Sequence, residues 1–85
     1  MPSKTVAVGS SVGLHARPAQ LIAEAAEELD AEVLIGISGQ EPVDASSSLM
    51  IMTLGAACGD RVEVSSDDQV ALDTIVALVE KDLDA

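Results

Sequence analysis

The sequence predicts an α+β fold in which helices pack on one face of an antiparallel sheet. Short β-branched segments alternate with helical segments in the order βαββαβα, and 85 residues are too few to cover both faces of such a sheet. The same length fits a single domain over residues 1–85 with a modest apolar core. We therefore expect an open-faced β-sandwich with three helices on one face of a four-stranded sheet.

The first third of the chain predicts one strand and one helix. Residues 4–8 read K-T-V-A-V and are followed by Gly9, which is typical of a strand that ends in a loop. Residues 16–29 carry apolar side chains at helical spacing opposite a polar stripe, which indicates an amphipathic helix. Pro18 is tolerated in a first helical turn and disfavours helical backbone angles at Arg17, so the helix start lies between residues 15 and 18.

The middle of the chain predicts a hairpin and a short helix. Residues 32–37 alternate in hydropathy, and a second short segment ends at Pro42-Val43. Because proline cannot donate a hydrogen bond to a neighbouring strand, we expect that segment at a sheet edge or a strand end. Residues 46–54 follow as a short helix, with serines as candidate N-caps and Gly55 as its C-terminal stop.

The last quarter of the chain predicts a strand and a helix. Residues 60–65 alternate valine with polar side chains, as in a strand with one buried face. Asp67 and Asp68 are natural caps for a final helix. The apolar face of that helix consists of Leu72, Ile75, Val76, Val79 and Leu83.

Composition and charge exclude several classes of function. Four Lys/Arg against fifteen Asp/Glu give a net charge of −11, which repels nucleic acid and anionic membrane surfaces. The chain has no aromatic residue and so no platform for base stacking. No apolar run approaches the ~20 residues of a membrane span, and the first residues do not resemble a signal peptide. Cys58 is the single cysteine and cannot form an intramolecular disulfide, so we expect a cytoplasmic protein. We expect its side chain to be buried or half-buried in the turn before the last strand.

His15, the only histidine, lies in the segment G-L-H-A-R-P-A at positions 13–19. Any helix start between residues 15 and 18 leaves it beside a helix N-terminus, where unpaired N–H groups and the helix dipole bind anions. A neutral imidazole is a nucleophile at pH 7. Arg17 can contact phosphate oxygens with its planar fork of donors. The segment therefore suits accepting and holding a phosphoryl group.

The residues alone leave other interpretations open. A lone histidine near a loop is usually a solvated surface residue, so the chain could be an interaction module that signals through serine phosphorylation and uses His15 only structurally. A small metal- or ligand-binding α+β domain is a third interpretation, although one histidine and one distant cysteine supply too few ligands for a metal site. No Ser-His-Asp order indicates a hydrolase.

The segment at positions 13–19 resembles the active-site motif of the HPr family, the histidine-containing phosphocarriers of the bacterial sugar phosphotransferase system. Residues 47–55, S-S-L-M-I-M-T-L-G, resemble the second helix and the following glycine of that family. The length and the element order agree as well. The resemblance implies that His15 is phosphorylated on Nδ1 by phosphorylated enzyme I, itself charged from phosphoenolpyruvate. It further implies transfer to a IIA domain of a sugar permease, by a stoichiometric carrier that binds no cofactor and is not a turnover enzyme.

The resemblance also assigns roles to individual residues. Arg17 would contact the phosphate, and Ala16 and Gln20 would lie at the rim of the partner surface. Leu49 and Met52 would carry apolar docking. A monomer is expected, because a carrier must dock two partners in turn. The sequence does not separate a sugar-transport carrier from a paralogue in a nitrogen-related phosphotransfer chain.

Two further features bear on regulation and docking. The resemblance places a regulatory serine, the target of a serine kinase in many relatives, at Ser47, although helix capping alone also accounts for a serine there. Glu24 and Glu27 stand where relatives often carry lysines, so the usual electrostatic steering by acidic partners is not expected here. Ser48 stands where relatives commonly carry an apolar contact residue.

Overall fold

The computed structural model describes residues 2–37 and 39–81. The predicted order of strands and helices is confirmed, and most element boundaries lie within one or two residues of the expected ones. Leu83, which we expected on the last helix, lies outside the described residues. The elements are β1 (Ser3–Ala7), α1 (Ala16–Glu28), β2 (Val33–Ile37), β3 (Val43–Asp44), α2 (Ser48–Thr53), β4 (Arg61–Ser66) and α3 (Gln69–Glu80).

The four strands form one antiparallel sheet in the order β1-β4-β2-β3. β4 is central and pairs Val62 with Val6 on one side and with Ile37 on the other. Because side chains alternate across a strand, Val62 and Val64 both face the core and are fully buried. β3 is an edge strand, as the proline predicts. It begins just after Pro42, whereas the sequence predicted a segment that ends at Pro42-Val43.

The three helices cover one face of this sheet, as predicted. α3 packs on β1 and β4, α1 packs against α3 and α2, and α2 also packs on β3. Burying each large aliphatic side chain contributes about 1.5–3 kcal/mol. The largest fully buried aliphatic side chains are Val8, Ile22, Val33, Ile35, Ile51, Val62, Val64, Leu72, Ile75 and Val79.

The N-termini of α2 and α3 are capped by side chains, as the sequence predicts. Asp68 accepts hydrogen bonds from the backbone N–H groups of Val70 (2.9 Å) and Ala71 (3.2 Å). Ser47 accepts a hydrogen bond from the N–H of Met50 at 3.3 Å. Each cap satisfies donors that the helix itself leaves without a partner.

Candidate functional site

The loop between β1 and α1 carries His15 to the start of the helix. His15 is the N-cap residue of α1, with extended backbone angles of φ −121° and ψ 153°. Its side chain is exposed and makes no capping hydrogen bond to the described residues. The helix therefore begins at Ala16, inside the predicted interval, and the imidazole stays accessible to a reactant.

Ala16 is in the left-handed region of backbone space, with φ at +37°. For an L-residue other than glycine this conformation costs roughly 1–2 kcal/mol. Strained residues of this kind are concentrated at functional sites, where the surrounding structure holds them in place. The residue after His15 is therefore held in a conformation that it would not adopt by itself.

The first turn of α1 reads A-R-P-A and contains no carboxylate that would neutralise the positive end of the helix. A helix start leaves its first backbone N–H groups without intrahelical acceptors. Pro18 has no N–H, so the remaining groups of that set belong to His15, Ala16 and Arg17. These donors lie beside the imidazole, where they can bind an anion.

Arg17 is exposed, and its guanidinium takes part in no ion pair within residues 2–37 and 39–81, where the ion pair present joins Lys4 to Asp73. Its donors are thus available to an anion. The nearest glutamate along the helix, Glu24, lies nine residues beyond His15, or about 13 Å along the helix axis. That distance exceeds the Debye length of about 8 Å at physiological ionic strength. Glu24 therefore acts only weakly at this helix end.

The loop before His15 is tied to the segment after α2. The N–H of Leu14 donates to the carbonyl of Ala56 at 2.9 Å, and the side chain of Leu14 is buried. Gly13 has φ +75°, and any Cβ there would overlap the carbonyl oxygen of Ala56. The segment after α2 is thus held against the two residues that precede the histidine.

The chain is similar to known proteins over nearly its whole length. A family model described as the PTS HPr component phosphorylation site matches residues 2–81. The phosphocarrier protein HPr of Streptomyces coelicolor is 36% identical over 99% of this chain and 94% of its own length. The phosphocarrier protein NPr of Escherichia coli K12 is 31% identical over 95% of this chain and 93% of its own.

A crystal structure of the phosphocarrier HPr from Bacillus anthracis superposes with a TM-score of 0.85 at 31% identity, covering 92% of this chain and 95% of the other. The chain belongs to the HPr family of phosphocarriers. Its place in the phosphotransferase system and its open-faced fold are those of the HPr family.

The other residues that the HPr resemblance singled out lie on α1 and α2. Gln20 is exposed on α1, and its side-chain amide donates to a Glu24 carboxylate oxygen at 3.4 Å. Leu49 on α2 is 67% exposed. Met52 is instead half-buried and packs against the core. Because α1 and α2 are in contact, these residues lie on neighbouring helices.

Ser47 has a structural role that can be separated from those of its neighbours. The N–H and hydroxyl of Ser46 donate to Asp44 Oδ1 at 2.9 and 2.7 Å, and these hydrogen bonds lower the pKa of the Asp44 carboxyl. Ser46 therefore serves the turn before the helix. Ser47 is the N-cap of α2 and is half-buried.

Sequence reasoning missed two exposed apolar residues near the HPr motif segments. Val12, three residues before His15, is 57% exposed, and Met50, next to Leu49, is 42% exposed. An apolar residue in a loop that precedes the motif was a signal for Val12. For Met50 the signal was helical spacing, which turns it about 100° away from the buried Ile51.

The expectation for Cys58 was wrong. Its thiol is free and exposed, although the residue lies, as expected, in the turn before β4. Within the described residues no group of His, Cys, Asp and Glu is arranged to hold a metal ion. None of the helices found there has the length and apolar character needed to cross a membrane.

Proposed function

We propose that this HPr-family protein accepts a phosphoryl group from phosphorylated enzyme I on His15 and passes it to IIA domains of sugar permeases. The observation that carries the proposal is the exposed imidazole of His15 at the uncapped N-terminus of α1. The residue that carries the nucleophilic side chain is also the N-cap of α1, so the nucleophile lies at a helix end that can bind an anion. The protein acts in the cytoplasm as a stoichiometric monomeric carrier, without a cofactor.

The proposed transfer uses the neutral imidazole with its proton on Nε2. The lone pair of Nδ1 attacks phosphorus, an N–P bond forms, and the bond from phosphorus to the donor breaks with its electron pair remaining on the donor. Transfer to the IIA domain is the same exchange with His15 as the leaving group. Such reactions depend mainly on positioning and on neutralising charge at the equatorial oxygens.

Arg17 and the N-terminal N–H groups of α1 supply that neutralisation in the proposed mechanism. Arg17 has no competing partner among the described residues, and its fork of donors matches two phosphate oxygens. The dipole of α1 favours the phosphorylated state, since negative charge is stabilised at a helix N-terminus. The same interactions serve acceptance and release, because the phosphoryl group occupies the same end of the helix in both.

The proposed docking surface surrounds His15. It comprises Ala16 and Gln20 on α1, and Leu49 and Met52 on α2, to which we add Met50 because of its exposure. The partners are enzyme I and the IIA domains. Testing different IIA domains as acceptors would show whether the protein serves sugar transport or a nitrogen-related phosphotransfer chain.

Ser47 is the proposed regulatory position. A phosphate or an aspartate there would place negative charge on α2 close to docking residues and reduce transfer at His15. The folded state would be little affected or stabilised, since an anion at a helix N-terminus is favourable. Transfer rates of Ser47→Asp and of Ser46→Asp, which alters a turn residue instead, would separate regulation from capping.

A direct experiment tests the proposed function. The protein is incubated with phosphoenolpyruvate and enzyme I, and we expect a single phosphoryl group that is lost in acid and retained in base, as a phosphoramidate is. His15→Ala should remain folded and unlabelled. An acid-stable phosphate, or full labelling of His15→Ala, would contradict the proposal and favour the module that signals through phosphoserine.

A further inference from the structure

The segment that leads from β1 to His15 is held at a second place, by the C-terminal turn of α3. The N–H of Gly9 donates to the carbonyl of Val79 at 3.0 Å. The hydroxyl of Ser10 donates to the carbonyl of Lys81 at 3.3 Å. A helix leaves its last carbonyls without intrahelical donors, and the β1–α1 loop supplies donors for the end of α3.

The contact between this loop and α3 is close enough to constrain both. Any Cβ at Gly9 would overlap the carbonyl oxygen of Glu80, which is backbone and not a flexible side chain. Ser10 is fully buried. A larger residue at position 9, or loss of the hydroxyl at position 10, therefore changes how the loop rests on α3.

This contact matters because the position of His15 is set by what holds the loop and not by a hydrogen bond of its own side chain. His15 makes no capping hydrogen bond within the described residues, and Ala16 is held at φ +37°. A strained residue keeps its conformation only where the surrounding structure over-determines it. The loop is supported by α3 at its Gly9-Ser10 end and by Ala56 at its Gly13-Leu14 end. Its first residue, Val8, is also held by the turn before β4, since its N–H donates to the carbonyl of Asp60 and its carbonyl accepts from the N–H of Gly59.

We propose that the last turn of α3 positions His15 for phosphoryl transfer, with Gly9 and Ser10 as positioning residues. The inference rests on the proposed function. Neither residue contacts the phosphoryl group. Their effect reaches it through the path of the loop, which sets where the imidazole stands relative to the N–H groups of α1.

The chain offers a matched control for Ser10. Ser66 is also fully buried, and its hydroxyl also donates to a backbone carbonyl, that of Glu32, at 2.7 Å. Ser66 lies at the opposite end of the sheet from the β1–α1 loop, since it pairs with the first residue of β2. Ser10→Ala and Ser66→Ala thus each remove one buried hydroxyl, at opposite ends of the molecule.

The experiment measures phosphoryl transfer from phosphorylated enzyme I over a range of donor concentrations. We expect Ser10→Ala to lower the transfer rate constant at saturating donor by about 10-fold, as small displacements of reacting groups do. The concentration for half-saturation should change little, because the docking side chains are untouched. Ser66→Ala should leave both quantities unchanged even if it lowers the melting temperature more.

A second pair of variants and a second measurement accompany the first. Gly9→Ala should act as Ser10→Ala does, and Gly36→Ala, whose Cβ would lie 2.9 Å from Pro42 Cα, serves as its control. NMR signals of the His15 imidazole should shift in the folded Ser10→Ala protein and not in Ser66→Ala. Equal effects of Ser10→Ala and Ser66→Ala on the saturated rate, or unshifted imidazole signals, would overturn the inference.

The experiments distinguish a failure of the proposed function from a failure of the positioning role of α3. If the wild-type protein takes no acid-labile phosphoryl group, the proposed function fails. The imidazole signals then still decide whether α3 positions His15. If wild type is phosphorylated and Ser10→Ala behaves as Ser66→Ala does, only the positioning role of α3 is lost.

Discussion

The N-termini of α1 and α3 use the same helix-end chemistry in opposite ways. At α3, the Asp68 carboxylate accepts hydrogen bonds from Val70 and Ala71, so the chain itself occupies the helix end. At α1, the N-cap is His15, whose side chain accepts no such bond within the described residues. The free N–H groups and the positive dipole end of α1 are left for an anion from outside.

The difference shows where this protein gives up stability for function. A capping side chain contributes about 0.5–2 kcal/mol, which α3 has and α1 lacks. The left-handed Ala16 adds a cost of roughly 1–2 kcal/mol at α1. A helix end that is stable by itself would be closed to a phosphoryl group, so the weaker end is the one suited to chemistry.

Converting the end of α1 into one like that of α3 should have the largest effect. We expect His15→Asp to abolish phosphoryl acceptance and to raise the free energy of unfolding by about 0.5–2 kcal/mol. Acid-labile labelling and urea denaturation measure the two effects. His15→Ala is the control, which should lose acceptance without the gain in stability. No gain in His15→Asp would mean that the α1 donors are not open to an anion.

Removing the guanidinium at the end of α1 should have the next largest effect. A charge-assisted hydrogen bond contributes about 1.5–3 kcal/mol, so Arg17→Ala should slow transfer by about 10- to 150-fold. Stopped-flow transfer from phosphorylated enzyme I gives the rate. Arg61→Ala removes another exposed arginine and should transfer normally. An unchanged rate in Arg17→Ala would show that the helix end alone neutralises the phosphate.

Docking should depend on apolar contact more than on the acidic face of α1. Burying a side chain such as Leu49 contributes about 1.5–3 kcal/mol, whereas an exposed ion pair contributes at most about 1 kcal/mol. Leu49→Asp should therefore weaken enzyme I binding more than Glu24→Gln changes it in either direction. Calorimetric titration at low and high salt tests this. Near-normal binding by Leu49→Asp with a strong salt dependence would contradict it.

Removing the cap of α3 should have the smallest effect, because it lowers stability without changing phosphoryl transfer. Asp68→Ala should lower stability by about 0.5–2 kcal/mol, seen as a drop of several degrees in the melting temperature. Transfer at His15 should be unchanged. Asp67→Ala, which removes the neighbouring carboxylate that does not cap the helix, should cost less. Equal losses would indicate that charge near the helix end, and not the cap geometry, stabilises α3.

The sequence by itself determined the element order, an edge or strand-end position for the proline segment, serine and aspartate as the cap types of α2 and α3, and the place of His15 beside a helix start. These follow from local rules: the period of apolar residues, the geometry of proline, and the reach of a side chain to N–H groups two or three residues away. The HPr resemblance rests on equally local segments. Local patterns therefore sufficed for the fold class and for the candidate nucleophile.

Only the tertiary structure decided which distant segments meet around that nucleophile. Residues 9 and 10 rest on the end of α3, about 70 positions further along the chain, and no periodicity encodes that contact. The left-handed conformation of Ala16 and the exposure of Cys58 were equally invisible. All three features belong to loops or turns between packed elements. The contacts with the folded core, and not the local sequence alone, decide the conformation of such a segment.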